Sequence, residues 1–263
     1  SDLKSQFDYE MEIKRFLQTA IENDLFEVWY QPIYSVEEKR YVSLEALSRL
    51  KHPEFGWVSP ELFIQIAVKN GLETKITQLQ LAKICRFIKN SEESLKDIEN
   101  VKINLSPCEL LETRYCDKLL SVIRENDIPF SKIQFEITET TATQYTQETS
   151  HFIKKLQEHG MGLCLDDFGT GYANLNTVLN LPYSTVKLDR SLLQGICTST
   201  KKADFYKDLS KVIKKQGFLI VAEGVETEQE AKMLSEWSID LFQGYYFSKP
   251  LPDKELLHLL KNI

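Results

Sequence analysis

Short runs of apolar and β-branched residues alternate along the chain with longer segments in which apolar residues recur at helical spacing. The short runs are apolar almost throughout, which is typical of strands that are covered on both faces. The longer segments indicate amphipathic helices. The pattern predicts eight strands: Val28–Ile33, Tyr41–Leu47, Val101–Leu105, Ile133–Ile137, Gly162–Leu165, Thr185–Leu188, Phe218–Ala222 and Ile239–Phe242.

Helices are predicted in most of the gaps between these strands, and residues that end or begin helices support their bounds. Gly71, Gly160 and Gly217 stand where helix C-terminal caps are expected. Ser59 followed by Pro60 is typical of a helix start. The predicted helices are Tyr9–Asn23, Pro60–Asn70, Glu73–Lys89, Glu109–Asn126, Gln144–His159, Asn174–Leu179, Lys201–Gln216, Glu228–Trp237 and Asp253–Lys261.

The lengths of the connections predict the strand directions. Only Tyr34–Arg40 separates the first two strands, which is too short for the crossover that a parallel pair needs. We therefore expect these two strands to be antiparallel and the remaining strands to be parallel. Eight strands with mostly helical crossovers predict an α/β fold, a (β/α)8 TIM-like barrel with one antiparallel strand near the N-terminus. The 263 residues suit one such barrel, so residues 1–263 are predicted to form a single domain, with an N-terminal helix over residues 1–23.

Polar residues follow most of the predicted strands at the point where each strand ends. One acidic residue at a strand end is ordinarily a loop residue in an ion pair, so only the repetition over successive strands is informative. In a parallel barrel the carboxyl ends of the strands open on one face, and that face carries the active site of barrel enzymes. The side chains expected to converge there are Glu45, Asn104, Glu136, Asp166, Asp167, Lys187, Glu223 and Gln243.

Several carboxylates in one cleft raise one another's pKa unless cations compensate their charge. Oxygen ligands of this kind suit Mg²⁺ or Mn²⁺ rather than Zn²⁺. Two such ions can clamp the attacking and leaving oxygens of a phosphoester hydrolysis, and the doublet Asp166-Asp167 is a candidate bridging ligand. Lys187 and Arg49 are candidate cations for the phosphate oxygens or for the attacking hydroxide. The residues themselves therefore predict a metal-dependent hydrolase of an anionic phosphoester.

The composition of the chain limits the kinds of partner and metal site that can be expected. The formal net charge is −7, so a basic surface for duplex nucleic acid is not expected. The four histidines are not paired at helical spacing, which disfavours a histidine zinc site, and the five cysteines include no CxxC pair, which favours free thiols in a reducing cytosol. No apolar run is long enough to span a bilayer and no signal peptide is visible. We expect a cytoplasmic protein, or the cytoplasmic domain of a larger and membrane-anchored one, without membrane contact by this domain.

Eight motifs resemble, in order, those of the EAL domain family, and they cover roughly Asp24 to Pro250. The resemblance implies hydrolysis of cyclic-di-GMP, a bacterial second messenger, to linear pGpG with two Mg²⁺ or Mn²⁺ ions. The motifs are Tyr30-Gln31-Pro32-Ile33, Glu45-Ala46-Leu47-Ser48-Arg49, Asn104-Leu105-Ser106, Glu136-Ile137-Thr138-Glu139-Thr140, Asp166-Asp167-Phe168-Gly169-Thr170-Gly171-Tyr172, Lys187-Leu188-Asp189, Ala222-Glu223-Gly224-Val225-Glu226 and Gln243-Gly244-Tyr245-Tyr246-Phe247.

The resemblance also implies catalytic roles by motif position. Lys187 would hold and polarise the attacking water, and Asp167 would serve the second metal ion or its water. Glu223 would be either the general base or a ligand of the second ion, and the resemblance leaves that division open. The implied metal ligands, apart from Asp167 and Glu223, are Glu45, Asn104, Glu136 and Asp166.

Further implied roles concern the substrate and the partners. Arg49 would contact a substrate phosphate, and the pocket would be lined by Gln31, Leu47 and Gln243. Glu139 would steady the loop Asp167–Leu175, which carries the acidic doublet and helps to form a homodimer in such proteins. The resemblance leaves room for a sensory or GGDEF domain before Ser1.

One position departs from the family pattern. Val68 stands where many members have Glu, which puts a supporting hydrogen bond in doubt but removes no implied metal ligand. Two alternatives to an active enzyme remain: a catalytically inactive EAL domain that acts as a cyclic-di-GMP receptor or protein-interaction module, and an unrelated metal-dependent barrel hydrolase. The complete set of acidic residues favours the enzyme, because a receptor is free to lose one of them.

Overall fold

The structure is a computed structural model, and it describes residues 2–139, 147–170 and 182–262. Ten strands, numbered in chain order, form one sheet within these residues. Their bounds are β1 Phe26–Ser35, β2 Tyr41–His52, β3 Gly56–Val58, β4 Asn100–Asn104, β5 Ile133–Thr138, β6 Leu163–Phe168, β7 Thr185–Leu188, β8 Leu219–Glu223, β9 Leu241–Gln243 and β10 Leu251–Pro252.

Eight of these strands close into a barrel in the order β1, β2, β4, β5, β6, β7, β8, β9, with β9 pairing back to β1. β1 is antiparallel to both of its barrel neighbours, and all other neighbouring barrel strands are parallel. The predicted TIM-like barrel with one antiparallel strand near the N-terminus is therefore confirmed. The antiparallel strand follows from the short connection between β1 and β2, which leaves no room for a crossover helix.

Two short strands extend the barrel sheet and are absent from the predicted pattern. β3 pairs with the last residues of β2, from Leu50↔Val58 to His52↔Gly56, and β10 pairs with the middle of β1. β2 runs five residues beyond the predicted end at Leu47 because this hairpin lengthens it. Beyond Leu47, buried residues alternate with more exposed ones, so the segment lacks the continuous apolar run that marked the barrel strands.

Helices flank the strands, and most lie close to their predicted positions. In the described residues they are α1 Asp2–Glu22, α2 Pro60–Lys69, α3 Glu73–Asn90, α4 Pro107–Leu111, α5 Thr113–Glu125, α6 Gln147–Glu158, α7 Arg190–Leu193, α8 Thr200–Lys215, α9 Glu228–Ser235 and α10 Asp253–Lys261, with a 3-10 turn at Phe130–Lys132. The predicted helix Asn174–Leu179 and the first residues of Gln144–His159 lie outside the described residues. No helix in the described part of the chain is both long enough and apolar enough to cross a bilayer.

The predicted helix Glu109–Asn126 is two helices. Ser106 forms a capping box with Glu109, so a short helix starts at Pro107, before the predicted start. The chain then leaves helical geometry at Glu112, where φ is −90° and ψ is 89°, and α5 begins at the next residue. The early cap places the first turn of α4 directly behind Asn104, at the end of β4.

Three apolar clusters hold the strands in place, of which the third and smallest consists of Ile33, Val42, Val221 and Leu241. The other two involve the helices. The larger lies between the outer face of the barrel and the helices around it. The smaller packs α1 and α2 against the parts of β1 and β2 that extend beyond the barrel, through Ile13, Leu17, Phe26, Leu50 and Phe63, all at most 3% exposed. α1 thus covers the strands that carry Gln31 and Glu45.

Inside the barrel, a polar layer lies beneath the strand ends. The buried Lys102 lies two residues before Asn104 and therefore points to the same side of β4. Its ammonium donates a hydrogen bond to Gln134 of β5, and the Gln134 amide donates in turn to the Ser184 hydroxyl at 2.8 Å. These contacts satisfy polar groups that the interior could not otherwise accommodate.

We expect Gly244→Ala to destabilise the fold more than Gly56→Ala. A Cβ at Gly244 would overlap backbone atoms of Val225, whereas a Cβ at Gly56 would meet nothing within 4 Å. Gly56→Ala should therefore cost only the strain of its left-handed backbone, about 1 kcal/mol, while Gly244→Ala should cost about 3 kcal/mol, the upper end for overpacking. Urea unfolding of both variants measures the two losses, and equal losses would contradict the overlap.

Candidate functional site

The carboxyl ends of the barrel strands bring the predicted polar residues together in one ring. The strand register pairs Gln31 with Glu45 across β1 and β2, Asn104 with Glu136 across β4 and β5, and Glu223 with Gln243 across β8 and β9. Lys187 reaches the same ring from β7 and Asp166 from β6. The strands alternate in side-chain direction, so these residues share the interior side of the barrel.

Lys187 lies at the centre of the ring. Its Nζ atom is 3.2 Å from Glu45 Oε2, 3.3 Å from Glu136 Oε2, 3.1 Å from Asp166 Oδ1 and 2.9 Å from Glu223 Oε1. The Lys187 side chain is 1% exposed. One ammonium therefore contacts carboxylates from four different strands in an environment with little water to screen them.

The charges in the ring shift the pKa of Lys187 and Glu45 toward the ionised forms. Burial acts to lower the pKa of Lys187, but the four carboxylates hold it well above its usual value. Burial acts to raise the pKa of Glu45, but Lys187 and hydrogen bonds donated by Gln243, Lys187 and Asn104 leave it lower than usual. Lys187 and Glu45 are therefore a charged pair at neutral pH.

The pKa values of the other acidic groups shift in the opposite sense, toward the protonated forms. Burial raises the pKa of Glu136 to about 8; Lys187 opposes the shift, and the nearby Glu45 and Asp166 add to it. Burial also raises the pKa of Glu223 well above its usual value, and burial with the charge of Asp166 raises the pKa of Asp167 to about 6. One ammonium does not compensate five carboxylates, so part of this cluster holds protons at neutral pH.

Two side-chain amides donate hydrogen bonds to Glu45, and a third, that of Gln31, contacts one of them. Asn104 Nδ2 donates to Glu45 Oε1 at 3.1 Å, and Gln243 Nε2 donates to Glu45 Oε2. Gln243 Nε2 also lies 3.2 Å from Gln31 Oε1, and Gln31 Nε2 donates to the carbonyl of Ser248 at 3.2 Å. Because β1 is antiparallel, its residue Gln31 lies at the rim where the parallel strands end.

Two groups of carboxylates could each hold a divalent cation. One consists of Glu45, Glu136 and Asp166, the other of Asp166, Asp167 and Glu223, and within each group the ligand oxygens lie within 4.8 Å of one another. Asp166 belongs to both groups, which is the arrangement that a bridging ligand needs. The buried Oε1 atom of Glu136 accepts no hydrogen bond from the described residues. Oxygen donors and an unused buried acceptor fit a hard divalent cation.

The backbone at Asp167 explains how two consecutive residues both reach the site. Asp167 has a φ of 56°, in the left-handed region, and the β6–β7 register shifts between Leu165 and Phe168. A bulge of this kind breaks the alternation of side chains along a strand. Aspartate is one of the few residues other than glycine that tolerate this conformation.

Glu139 contacts the segment that follows the doublet. It is 2% exposed, and its Oε2 atom accepts a hydrogen bond from the backbone N–H of Gly169 at 3.0 Å. This contact is what its predicted supporting role requires at the start of the loop Asp167–Leu175. Residues 171–175 of that loop lie outside the described residues.

A cleft of about 280 Å³ opens above the carboxylates. It includes the predicted Gln31, Leu47 and Gln243. The sequence analysis assigned no site role to six of its other residues, although each lies within a few residues of a strand end. The full lining, which we call the carboxylate cleft, is Gln31, Glu45, Leu47, Asp167, Asp189, Arg190, Glu223, Gly224, Glu226, Gln243, Gly244 and Tyr245.

Arg49 borders a second cavity of about 360 Å³, which shares Leu47 with the carboxylate cleft and also contains Asn104 and Val68. Arg49 Nη1 donates to the carbonyl of Ser48 at 3.0 Å, and the guanidinium lies 5.4 Å from the centre of a Trp29 ring. The predicted phosphate contact of Arg49 would therefore be made from this side cavity. Val68 contributes only an apolar side chain to it.

Comparison with known proteins matches most of the chain to a protein family. A family model described as the EAL domain matches residues 14–250. The cyclic di-GMP phosphodiesterase NbdA of Pseudomonas aeruginosa is 30% identical over 96% of this chain and 32% of its own length. The cyclic di-GMP phosphodiesterase PdeL of Escherichia coli is 27% identical over 92% of this chain and 67% of its own length.

A solved structure shows the same fold. The PaMucR phosphodiesterase, solved in complex with c-di-GMP, is 28% identical and superposes with a TM-score of 0.86 over 93% of this chain and 99% of that chain. The chain spans about a third of the length of several curated relatives that it matches.

We expect Lys187→Met to lose about 3–5 kcal/mol of unfolding free energy without divalent cations, because it leaves buried carboxylates without their ammonium. The remaining carboxyls would have folded pKa values raised above the unfolded ones. They bind protons more tightly when folded, so the deficit should shrink as the pH falls from about 8 to about 5. Denaturant unfolding at both pH values measures this loss of unfolding free energy.

Lys102→Met is the matched control for Lys187→Met. Lys102 is equally buried, but the hydrogen-bond partner of its ammonium is the neutral amide of Gln134. Replacing it should cost less than about 2 kcal/mol, because no carboxylate loses a direct partner. A loss as large as that of Lys187→Met would mean that general burial, rather than the four carboxylate contacts, sets the result.

We expect divalent cation binding to release protons and to weaken as the pH falls. Glu136, with a pKa of about 8, and Asp167, with a pKa of about 6, must both be ionised to act as ligands. Mn²⁺ affinity should therefore decrease through the range between these values, and roughly one proton should leave per site near neutral pH. Calorimetry in buffers of different ionisation enthalpy measures the release, and no release would contradict the assignment of Glu136.

Proposed function

The chain belongs to the EAL domain family, and we propose that it is a metal-dependent phosphodiesterase that hydrolyses cyclic-di-GMP to linear pGpG. The family membership inferred from its motifs is confirmed by the match over residues 14–250. The observation that carries the proposal is the complete acidic ring around Lys187, which contacts four carboxylates at 2.9–3.3 Å. Relatives named as cyclic di-GMP phosphodiesterases, and the fold shared with a c-di-GMP complex, support this substrate.

Charge supports two cations rather than one. The five carboxylates Glu45, Glu136, Asp166, Asp167 and Glu223, together with one ammonium, carry a formal charge of −4 when all are ionised. Two Mg²⁺ or Mn²⁺ ions would balance that charge, and Asp166 would be their shared ligand. Asn104 would add an amide oxygen beside Glu45, opposite the amide nitrogen that donates to it.

The reaction opens the ring at one phosphodiester. Divalent cations at such a site make a bound water acidic and neutralise the phosphate oxygens. The water oxygen bonds to phosphorus, the bond from phosphorus to O3′ breaks, and O3′ leaves with a proton. The product is a linear dinucleotide with a 5′-phosphate.

The protein's own groups position the reactants. The Lys187 ammonium is fixed by its carboxylates, and we assign its N–H groups to the attacking water, which it would hold and polarise. Glu223 lies in the carboxylate cleft next to Lys187, and once bound cations had displaced its proton, its carboxylate would accept the proton of the attacking water. Gln31, Leu47 and Gln243 would line the bound nucleotide, and Arg49 would reach a phosphate from the side cavity.

The family resemblance also suggests the domain organisation, the cellular location and the oligomeric state. We propose that residues 1–263 form one EAL domain that acts in the cytoplasm, either alone or as part of a larger protein with a sensory or GGDEF domain. Homodimerisation is proposed through the loop that begins at Asp167, whose first turn Glu139 holds. The alternative is an inactive domain that binds cyclic-di-GMP without cleaving it.

The deciding experiment incubates the purified chain with cyclic-di-GMP and Mg²⁺ or Mn²⁺ and follows pGpG by chromatography. We expect turnover with at least one of the two ions and none after chelation. Binding of cyclic-di-GMP without any pGpG would establish the receptor alternative. Turnover of other phosphoesters without binding of cyclic-di-GMP would indicate a hydrolase of different specificity.

Two variants test the assigned roles. Glu45→Ala should lower turnover by about 100-fold or more, because the cations lose a ligand.

Glu223→Gln should lower kcat by about 100-fold with little change in KM, as expected for loss of a general base. Asp208→Asn removes an exposed carboxylate on α8 and is the control that should keep full activity. Full activity of Glu45→Ala would refute the metal site, and a change in KM alone would refute the role of Glu223.

A further inference from the structure

Apart from the cations proposed at the acidic ring, the carboxylate cleft offers little positive charge to the proposed substrate, which carries two negative phosphodiesters. Five carboxyl side chains line it. The ammonium of Lys187 is enclosed by carboxylates, and Arg49 borders the side cavity. Among the described residues that line the cleft, Arg190 is the one cationic side chain.

The backbone and the aliphatic stem of Arg190 are fixed. Arg190 is the first residue of α7, and the preceding Asp189 accepts a hydrogen bond from the Ser191 N–H at 2.8 Å. The stem lies over Gly224, where a Cβ would approach Cγ, Cβ and Cδ of Arg190 to 2.6, 2.7 and 3.0 Å. The absence of a side chain at residue 224 therefore leaves the space that the Arg190 stem fills.

The guanidinium of Arg190 is only weakly held. Its Nη1 atom lies 3.3 Å from Glu226 Oε1, and the two side chains are 60% and 47% exposed. Such an exposed pair contributes little stability, because water screens it. A phosphate offers the same guanidinium two oxygens in a geometry that its planar fork matches.

We propose that Arg190 binds a phosphate of the substrate and that, before the substrate binds, the Arg190 guanidinium forms an ion pair with Glu226. The inference rests on the proposed function, because it assigns a second phosphate subsite to the same cleft. One phosphodiester would lie at the acidic ring, and Arg190 would take the other. Glu226 would then compete with the substrate for Arg190.

Because Glu226 and the substrate compete for Arg190, substitutions of Arg190 and of Glu226 should change KM in opposite directions. Arg190→Met keeps most of the stem over Gly224 and removes the charge, so KM for cyclic-di-GMP should rise by about tenfold or more. Glu226→Gln frees the guanidinium, so KM should fall by about twofold to fivefold. Both variants should change kcat less than KM. The KM of Arg190→Lys should lie between that of Arg190→Met and that of the unchanged protein.

The double variant separates this mechanism from general electrostatics. If Glu226 acts through Arg190, then Glu226→Gln should leave KM unchanged in the Arg190→Met background. The matched control is the exposed pair of Arg15 and Glu12 on α1, whose Nη1 and Oε2 atoms are 3.5 Å apart. Arg15→Met and Glu12→Gln change the net charge identically and should leave KM within twofold.

Three results would overturn the proposal: a KM within twofold of the unchanged protein in Arg190→Met, an undiminished effect of Glu226→Gln in the double variant, or equal effects in the α1 pair. Thermal unfolding checks that Arg190→Met and Arg190→Lys are folded. If the unchanged protein binds cyclic-di-GMP without turnover, the proposed enzyme fails, and the same variants test Arg190 through the dissociation constant. If it neither hydrolyses nor binds the nucleotide, both proposals are refuted.

Discussion

The contact of one buried ammonium with four carboxylates is the interaction on which the rest of the site depends. Carboxylates from four strands cannot lie this close at the end of a closed barrel unless a positive charge lies among them. Lys187 supplies that charge from β7, and its side chain is almost wholly shielded from water. The compensation is incomplete, since Glu136 and Glu223 keep raised pKa values. The side chains of the site are thus held in place and together still lack positive charge, which favours the binding of divalent cations.

The reversed strand β1 has a matching role at the rim. In a fully parallel barrel, the start of a strand lies at the face opposite the site. Because β1 runs the other way, Gln31 pairs with Glu45 and reaches Gln243, so the strand closes the ring of hydrogen-bonded amides. α1 and α2 pack on the extended ends of β1 and β2, which ties the N-terminal helix to the strand that carries Glu45.

The fold and much of the ring could be predicted because both rest on local patterns. Buried parallel strands are continuous apolar runs, and a polar residue that ends such a run stands out. Glu45, Glu136 and Lys187 were found by that signal, and the barrel geometry predicted that they converge on one face. Their direct contact was not predicted and is seen in the structure. β3 and the last five residues of β2 gave no such signal, because neither segment is a continuous run of buried apolar residues.

Other features of the site could not be read from residue order. The early start of α4 depends on the capping box of Ser106 and Glu109, which competes with the longer amphipathic pattern. No sequence pattern marked Arg190, because its place in the cleft depends on the missing side chain of Gly224, which follows a different strand. The position of the Arg49 guanidinium depends on Trp29 across the β1–β2 pair.

The left-handed backbone of Asp167 has an evolutionary consequence. At most positions of a buried acidic site, replacing the carboxylate disturbs packing, so selection for folding also helps to preserve the chemistry. At residue 167 the backbone favours asparagine and glycine as much as aspartate. A lineage could therefore lose this carboxylate while keeping a stable barrel and an intact cleft. Selection on catalysis alone would maintain it, and a domain released from that selection would have an easy route from enzyme to nucleotide sensor.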